Sequence, residues 1–386
     1  ELVFDNCRFI SPEDHYRFRE KCSVEQNDIL MGKAASIGKI ARVKVSFEFS
    51  VWSPLAIIKP LLEILYPAYL EYSLKSSYGQ DQIEIFATSN TQKNISMRDI
   101  QNIRLLCPPF QEQQVIADFL DQKTSQINSL IKKKQRQIEL LEEYRAALIH
   151  QAVTKGLDPD VPMKDSGIEW LGRIPENWKV SYARYFYDIK LGKMVNRSIV
   201  VQDGYSRQYL RAANIHWDKI LLDEVGVNSM EFSEGQLKRY RLNVGDLLIT
   251  EGGATLGRSA LWDGEIDECY YQNSINRARQ ISYLPTRWLY YWMFFLTKNG
   301  YIDVIADKAT FGHLTNEKLK AIPLTIPTRK EAQEIIAALD CKTKTIEKAQ
   351  AKIGKKIKYL QEYRDALISD VVTGKLDVSN WEGVEL

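Results

Sequence analysis

The stretch Leu141-Glu-Glu-Tyr-Arg-Ala-Ala-Leu-Ile149 returns as Leu360-Gln-Glu-Tyr-Arg-Asp-Ala-Leu-Ile368, 219 residues further on (360 − 141). The same offset relates Asp121, Lys123 and Thr124 to Asp340, Lys342 and Thr343, Ile138 to Ile357, Thr154 to Thr373, and Leu157-Asp158 to Leu376-Asp377. Upstream it relates Thr91, Ile95, Ile100, Ile103 and Pro108 to Thr310, Leu314, Leu319, Ile322 and Pro327. Further up, Asn27-Asp-Ile-Leu-Met31 matches Gly245-Asp-Leu-Leu-Ile249 and Gly38-Lys39 matches Gly257-Arg258, with a one-residue gap between them. A register held this long means a duplicated module, diverged in its middle. The second copy opens near Ile174-Pro-Glu-Asn-Trp178, and 174 − 219 is negative. The first copy is therefore expected to lack roughly its first 45 residues.

Each copy ends in a helical pattern. From Pro109 to Val153 there is no glycine and no internal proline, and apolar residues recur at threes and fours through Ile127, Ile131, Ile138, Leu141, Leu148 and Ala152. Pro108-Pro109 and Pro327 mark helix entry, and Gly156 and Gly374 suit positions just past a helix end. About 44 residues at 1.5 Å each give roughly 65 Å of rod. The stripe Ile127, Ile131, Ile138, Leu141, Tyr144 and Leu148 in copy 1 is expected to pair helices or dock partner subunits, as is Ile346, Ile353, Ile357, Leu360, Tyr363 and Leu367 in copy 2. Lys134 interrupts the first seam and Gln350 the second.

The globular parts read as α+β. Tyr209–Ile215 and Asp246–Thr250 look like strands, and Thr286–Thr297 like a helix. The partition is residues 1–107 for the first module, 108–155 and 327–374 for the helices, 156–326 for the second module with its linker, and 375–386 for a tail. Polar and aromatic residues fall between the strands: Arg211, Asn214, His216 and Trp217, then Tyr271, Gln272, Asn273 and Arg277, then Phe311 and His313. Arg, Asn, Gln and His are the side chains that read base edges. The candidates for DNA contact are thus Arg211, Asn214, His216, Gln272, Asn273, Arg277 and His313, joined by Lys93 and Asn94 in the first module. Lys39 and Arg258, each behind a glycine at the same place in the two copies, are phosphate-contact candidates, because glycine lets the backbone approach and a cation neutralises charge.

Composition is neutral on partners, since 52 Lys and Arg face 50 Asp and Glu, and 45% hydrophobic content suffices for two cores. Five cysteines without a C-x-x-C pair suggest free, mostly buried thiols in a reducing cytoplasm. The apolar run Trp288–Leu296 is too short to span a bilayer. Two catalytic motifs fail on inspection. Gly252-Gly-Ala-Thr-Leu-Gly257-Arg258-Ser259 has phosphate-loop spacing but Arg where Lys is needed, and reads as strand-turn-strand. Cys107-Pro-Pro-Phe110 is near an amino-methyltransferase motif, yet a thiol is a poor hydrogen-bond acceptor, so the prolines serve as a helix start. The four histidines show no metal-ligand spacing.

Taken with Gly167-Ile-Glu-Trp-Leu-Gly-Arg-Ile-Pro-Glu-Asn-Trp178, Gly245-Asp-Leu-Leu248, Pro108-Pro-Phe-Gln-Glu-Gln-Gln114 and the paired L-x-E-Y-R-x-A-L-I helices, the chain resembles the specificity subunits of type I restriction-modification systems. The resemblance covers essentially the whole chain. It implies two target-recognition domains, each reading half of a split site in double-stranded DNA, separated by two long antiparallel coiled-coil helices that act as a ruler. It further implies two modification subunits and ATP-driven restriction subunits as partners. S-adenosylmethionine, ATP and Mg would sit on those partners, with no cofactor and no metal in this non-catalytic chain. The competing readings are a single-chain adenine methyltransferase and a coiled-coil scaffold.

Overall fold

A computed structural model describes residues 2–5, 7–89, 93–194, 204–306 and 312–381. The chain divides into two compact units, one of Glu1–Ile138 with Ala351–Leu386 and one of Glu139–Gln350. Two helices dominate the secondary structure, Phe110–Lys155 and Arg329–Val372. Each helix gives one end to each unit, so the compact units cut across the linear module-helix order.

In the first unit strand Ile29–Gly32 is central and antiparallel to Ile40–Arg42 and Leu55–Ile58. Helices Pro67–Lys75 and Ser77–Phe86 cover it, burying Leu70, Leu74 and Ile83 against Ile29, Met31, Ile40 and Ala56. Separately, Ala68, Tyr69 and Tyr72 join Ile116, Leu120, Ile127 and Ile131 of one long helix and Leu367, Ile368 and Val371 of the other. Early residues of one helix meet late residues of the other, so the helices pair antiparallel there.

The second unit is built around the antiparallel sheet Ser259–Leu261, Leu247–Thr250, Ile275–Gln280, Tyr187–Leu191, in that order. A three-stranded sheet, Asn228–Phe232, Tyr205–Leu210 and Tyr270–Tyr271, lies alongside in the chain, its last pairing parallel. Helix Thr286–Lys298 is apolar nearly all round because it is buried nearly all round, by the sheet and by the long helices. Ile149, Ala152 and Val153 share that core with Ala332, Ile335 and Leu339, again an early segment against a late one. Antiparallel pairing requires the two residue numbers of each contact to have a constant sum. Arg145 meets Glu347 at 3.3 Å in one unit and Arg364 meets Asn128 at 2.9 Å in the other, a sum of 492 each time. They are the same contact made twice, since 145 and 364, like 128 and 347, differ by 219.

The repeated Asn27-Asp28 and Gly245-Asp246 have a local cause. Asn27 and Gly245 take φ values of 75° and 86°, a turn that asparagine and glycine tolerate. The following carboxylate accepts a backbone N–H three residues back, from Glu25 and Asn243, both at 2.8 Å. It is then neutralised by Lys59 in one copy and Arg279 in the other. Gly156 and Gly374 end the long helices with φ of 80° and 72°, as the sequence pattern requires.

Two expectations change. The segment 209–215 is not one strand: Tyr205–Leu210 stops, a 3-10 turn Ala212–Asn214 intervenes, and Ile215–His216 begins a hairpin with Lys219–Ile220. Asn214 causes the break, accepting the Arg211 N–H and donating to the Leu221 and Gly226 carbonyls. The thiols are mostly exposed; Cys269 alone is buried, and burial pushes it up to about 12. Tyr144 and Tyr363, in the stripes expected to pair helices or dock partner subunits, are 55% and 60% exposed, so helix pairing does not bury them. Ile127, Ile131, Ile346 and Leu367 are buried, with Ile138, Leu141, Leu148, Ile353, Ile357 and Leu360 half-buried.

Candidate nucleic-acid interface

Sheet register gathers several loops of the second unit at one end. Thr250 lies opposite Ile275, Ile249 opposite Ser259, and Leu191 opposite Asn276. The segments that follow Leu191 and Thr250 and precede Ser259 and Ile275 therefore emerge together. Backbone bonds tie them: Asn273 N to the Lys193 carbonyl at 3.0 Å, Gln272 N to Leu210 at 2.9 Å, and Glu251 N to Ser274 at 3.0 Å. Ser274 Oγ in turn accepts the Ala212 N–H beside Arg211. Gly252 bridges to His313, and a side chain at Gly252 would meet the imidazole at 3.1 Å. Arg211, Gln272, Asn273, Arg258 and His313 thus border one loop cluster, as does Lys193, which the sequence reading had missed. Burial pushes Lys193 below its ordinary value, and it donates to Gln236 and lies over the Phe232 ring. Its hidden signal was the glycine before it: a Cβ on Gly192 would strike the Gln272 carbonyl. Burial also raises Glu251, against the opposing pull of His313.

His216 is exposed on the hairpin, whose Asp218 N–H donates to Ser259 next to Arg258. Two candidates are framework instead. Arg277 is 2% exposed and ion-paired to Asp188 from the neighbouring strand. Asn214 is wholly buried, with both ends of its amide used on backbone. Neither side chain is free to meet a base. Phe311, and the repeat pair Thr91 and Thr310, lie outside the described residues.

The Gly252–Ser259 segment is a strand-turn-strand with a 3-10 turn at Gly253–Thr255, and no helix follows it. Gly38 and Gly257 have φ of 74° and 76°, and a Cβ there would strike Gln80 Oε1 at 2.6 Å and Thr297 Oγ1 at 2.9 Å. The repeated glycine is accounted for by the turn, leaving the cation after it as the feature facing outward. Lys39 is exposed and Arg258 half-buried.

In the first unit Lys39 borders a cleft of about 1260 Å³ between the sheet and the paired helices. Arg42, Lys44, Lys75, Lys132 and Arg364 line it together with Glu71, Asp121 and Asp365. Burial pushes Glu71 up, but Lys75 at 2.6 Å, then Lys44, outweigh this and hold the carboxyl below its usual range. Among the described residues Lys39 and Lys132 have no ion-pair partner, and cations outnumber carboxylates along the cleft, so it has cationic charge to spare. Lys93 and Asn94 form a short exposed strand on this module, with Lys93 paired to Glu84. No group of three or more metal-binding side chains occurs among the described residues. None of their helices is long and apolar enough to cross a membrane.

Fold and site define a duplicated protein with two recognition-type modules carried on repeated helices. The family described as the type I restriction modification DNA specificity domain matches residues 8–140 and 175–359, and the chain belongs to that family. It is 21% identical over 340 residues to the specificity subunit of the type I restriction enzyme EcoKI of Escherichia coli, covering 85% of this chain and 70% of that one. To the MjaVIII specificity subunit of Methanocaldococcus jannaschii it is 24% identical over 369 residues, covering 92% and 81%. The fold is that of a chain solved in work on complex assembly and conformational transition of the type I R-M system (TM-score 0.71, 15% identity, 92% and 83% covered). It also matches the HsdS subunit of Thermoanaerobacter tengcongensis (TM-score 0.51, 15% identity, 92% and 82% covered).

Proposed function

We propose that this chain supplies DNA sequence specificity to a type I restriction-modification enzyme, each module reading one half of a bipartite site and the long helices setting the gap. The observation that carries this is the uneven divergence of the repeat. The helix residues, the Asp-turn motif and the Gly-Lys/Arg turn are kept between copies, while the rest of the loops at the sheet ends are not. Two different surfaces on one repeated frame fit two different half-sites and one kind of partner.

The partner is the modification subunit, taken in two copies. Leu140 and Tyr144 are 47% and 55% exposed, and their repeat equivalents Tyr359 and Tyr363 are 64% and 60% exposed. Apolar side chains left uncovered at matching places suit two copies of one docking surface. S-adenosylmethionine, ATP and Mg belong to the modification and restriction subunits, and the assembly works in the cytoplasm on double-stranded DNA. This chain has no catalytic role of its own.

The test mixes the chain with its modification subunit, selects duplexes from a random-sequence pool, and sequences them together with the methylated adenines. A split motif with a fixed gap is the expected result. Enrichment of no motif would overturn the reading.

A further inference from the structure

Each module is fastened to its long helix by the same three side chains. Tyr72, on Pro67–Lys75 and 6% exposed, donates its hydroxyl to Asp121 Oδ1 and lies 3.0 Å from the buried Thr124 hydroxyl. In the other unit Tyr291, fully buried on Thr286–Lys298, donates to Asp340 Oδ1, with Thr343 beside it also buried. Tyr72 to Tyr291, Asp121 to Asp340 and Thr124 to Thr343 are each 219 residues apart.

The aspartate also takes a cation, and here the copies differ. Asp121 is met by Arg42 from a strand at 3.5 Å, Asp340 by Arg287 from the module helix at 2.7 Å. Position 261, the equivalent of Arg42, is Leu, and position 68, the equivalent of Arg287, is Ala. The charge has been supplied from two unrelated places, while the Tyr-Asp-Thr set stayed fixed. A carboxylate that only satisfied local burial would not need the same tyrosine in two modules whose cores have otherwise diverged. Arg287 extends the second joint by clamping Asp218 of the His216 hairpin, its Nη2 lying 2.8 Å from Asp218 Oδ2. That ties a loop at the proposed reading face to the long helix in one step.

We infer that Tyr72-Asp121-Thr124 and Tyr291-Asp340-Thr343 are paired positioning joints that hold each recognition module at a fixed angle on its long helix, and so set the gap length the complex accepts. A hydrogen bond to a carboxylate resists sliding in a way that apolar contacts of the same area do not, because it is directional. The inference rests on the proposed function.

The experiment uses the full chain with its modification subunit and the duplex that the wild-type complex selects from a random pool, with its gap lengthened or shortened by one base pair. Y72F and Y291F remove one hydroxyl each. The expected result is that each variant still binds the parent duplex but loses about tenfold of the preference for the parent gap, the scale of one charge-assisted hydrogen bond. D121N, which keeps an acceptor for Tyr72, should retain more of that preference than D121A. Ile83→Val and Ile275→Val, core changes that touch neither long helix, serve as controls that lower the melting temperature alone. Unaltered gap preference in Y72F and Y291F, or an equal loss in the two controls, would overturn the inference. A wild-type complex that selects no duplex would overturn the proposed function instead.

Discussion

Arg277 and Arg258 stand near one another on the second module with opposite prospects. Arg277 is buried and bonded to Asp188, a carboxylate that also holds Lys190 at 3.0 Å, so Arg277→Ala removes a packed side chain without stranding the acid and should destabilise the protein by about 2 kcal/mol, read as a lower denaturation midpoint. Arg258 is half-buried with no ion pair among the described residues. Arg258→Ala should leave that midpoint in place and make the salt dependence of DNA affinity shallower, by about one unit of log-log slope. If instead the Arg277 variant lost only affinity and the Arg258 variant only stability, the assignment of the two would be reversed. His150 makes a pH prediction. Burial, with Lys155 adding to it, holds its imidazole below the ordinary value, and the ring stacks on Phe295 at 4.8 Å. The folded chain therefore prefers neutral imidazole; this stability is complete above the unfolded value of about 6.5 and is lost as pH falls through the folded one. Between pH 7.5 and 5.5 the wild-type melting temperature should fall more steeply than that of His150→Gln. Parallel curves would remove His150 from the account.

At the scale of elements, the seam of the long helices separates into buried and exposed positions that one sequence stripe had merged. Ile131→Ala opens a hole between packed helices and should cost about 2–4 kcal/mol. Tyr144→Ala and Tyr363→Ala remove exposed rings and should change stability by less than about 0.5 kcal/mol, while weakening retention of the modification subunit in a pull-down. Retention unchanged in both tyrosine variants would move the docking surface elsewhere. The helices were legible because their signals are local and repeated: a 3.6-residue period, proline before, glycine after. Spacing alone does not separate Tyr144 from the packed positions, because it identifies a face of a helix without fixing how wide the buried part is. Asn214 and Arg277 were misread for a related reason. Their residue types suit base reading and internal satisfaction equally, and only the carbonyls of Leu221 and Gly226 or the Asp188 carboxylate decide between them. Lys193 escaped notice because its place in the loop cluster depends on a long-range bridge to Gln272.

For the whole molecule, duplication lets the reading surfaces vary while the frame is conserved. The contacts that join the second module to the long helices include Tyr291 to Asp340, Trp178 to Glu331 at 3.0 Å, Arg287 to Asp340 at 2.7 Å, and an apolar cluster with Ala332, Ile335 and Leu339. The residues at the ends of its sheets make few of these contacts, so they are free to diverge without loosening the frame. Residues 174–326 hold the module's loops together with its own side of the joint, Trp178, Arg287 and Tyr291, whereas Glu331 and Asp340 lie outside. Exchanging 174–326 for the matching segment of another family member that keeps those three side chains should therefore transplant recognition. The expected outcome, read by sequencing selected duplexes, is replacement of one half of the split motif with the other half and the gap unchanged. Change in both halves would mean that the modules do not read independently, and change in neither would assign specificity to the helices.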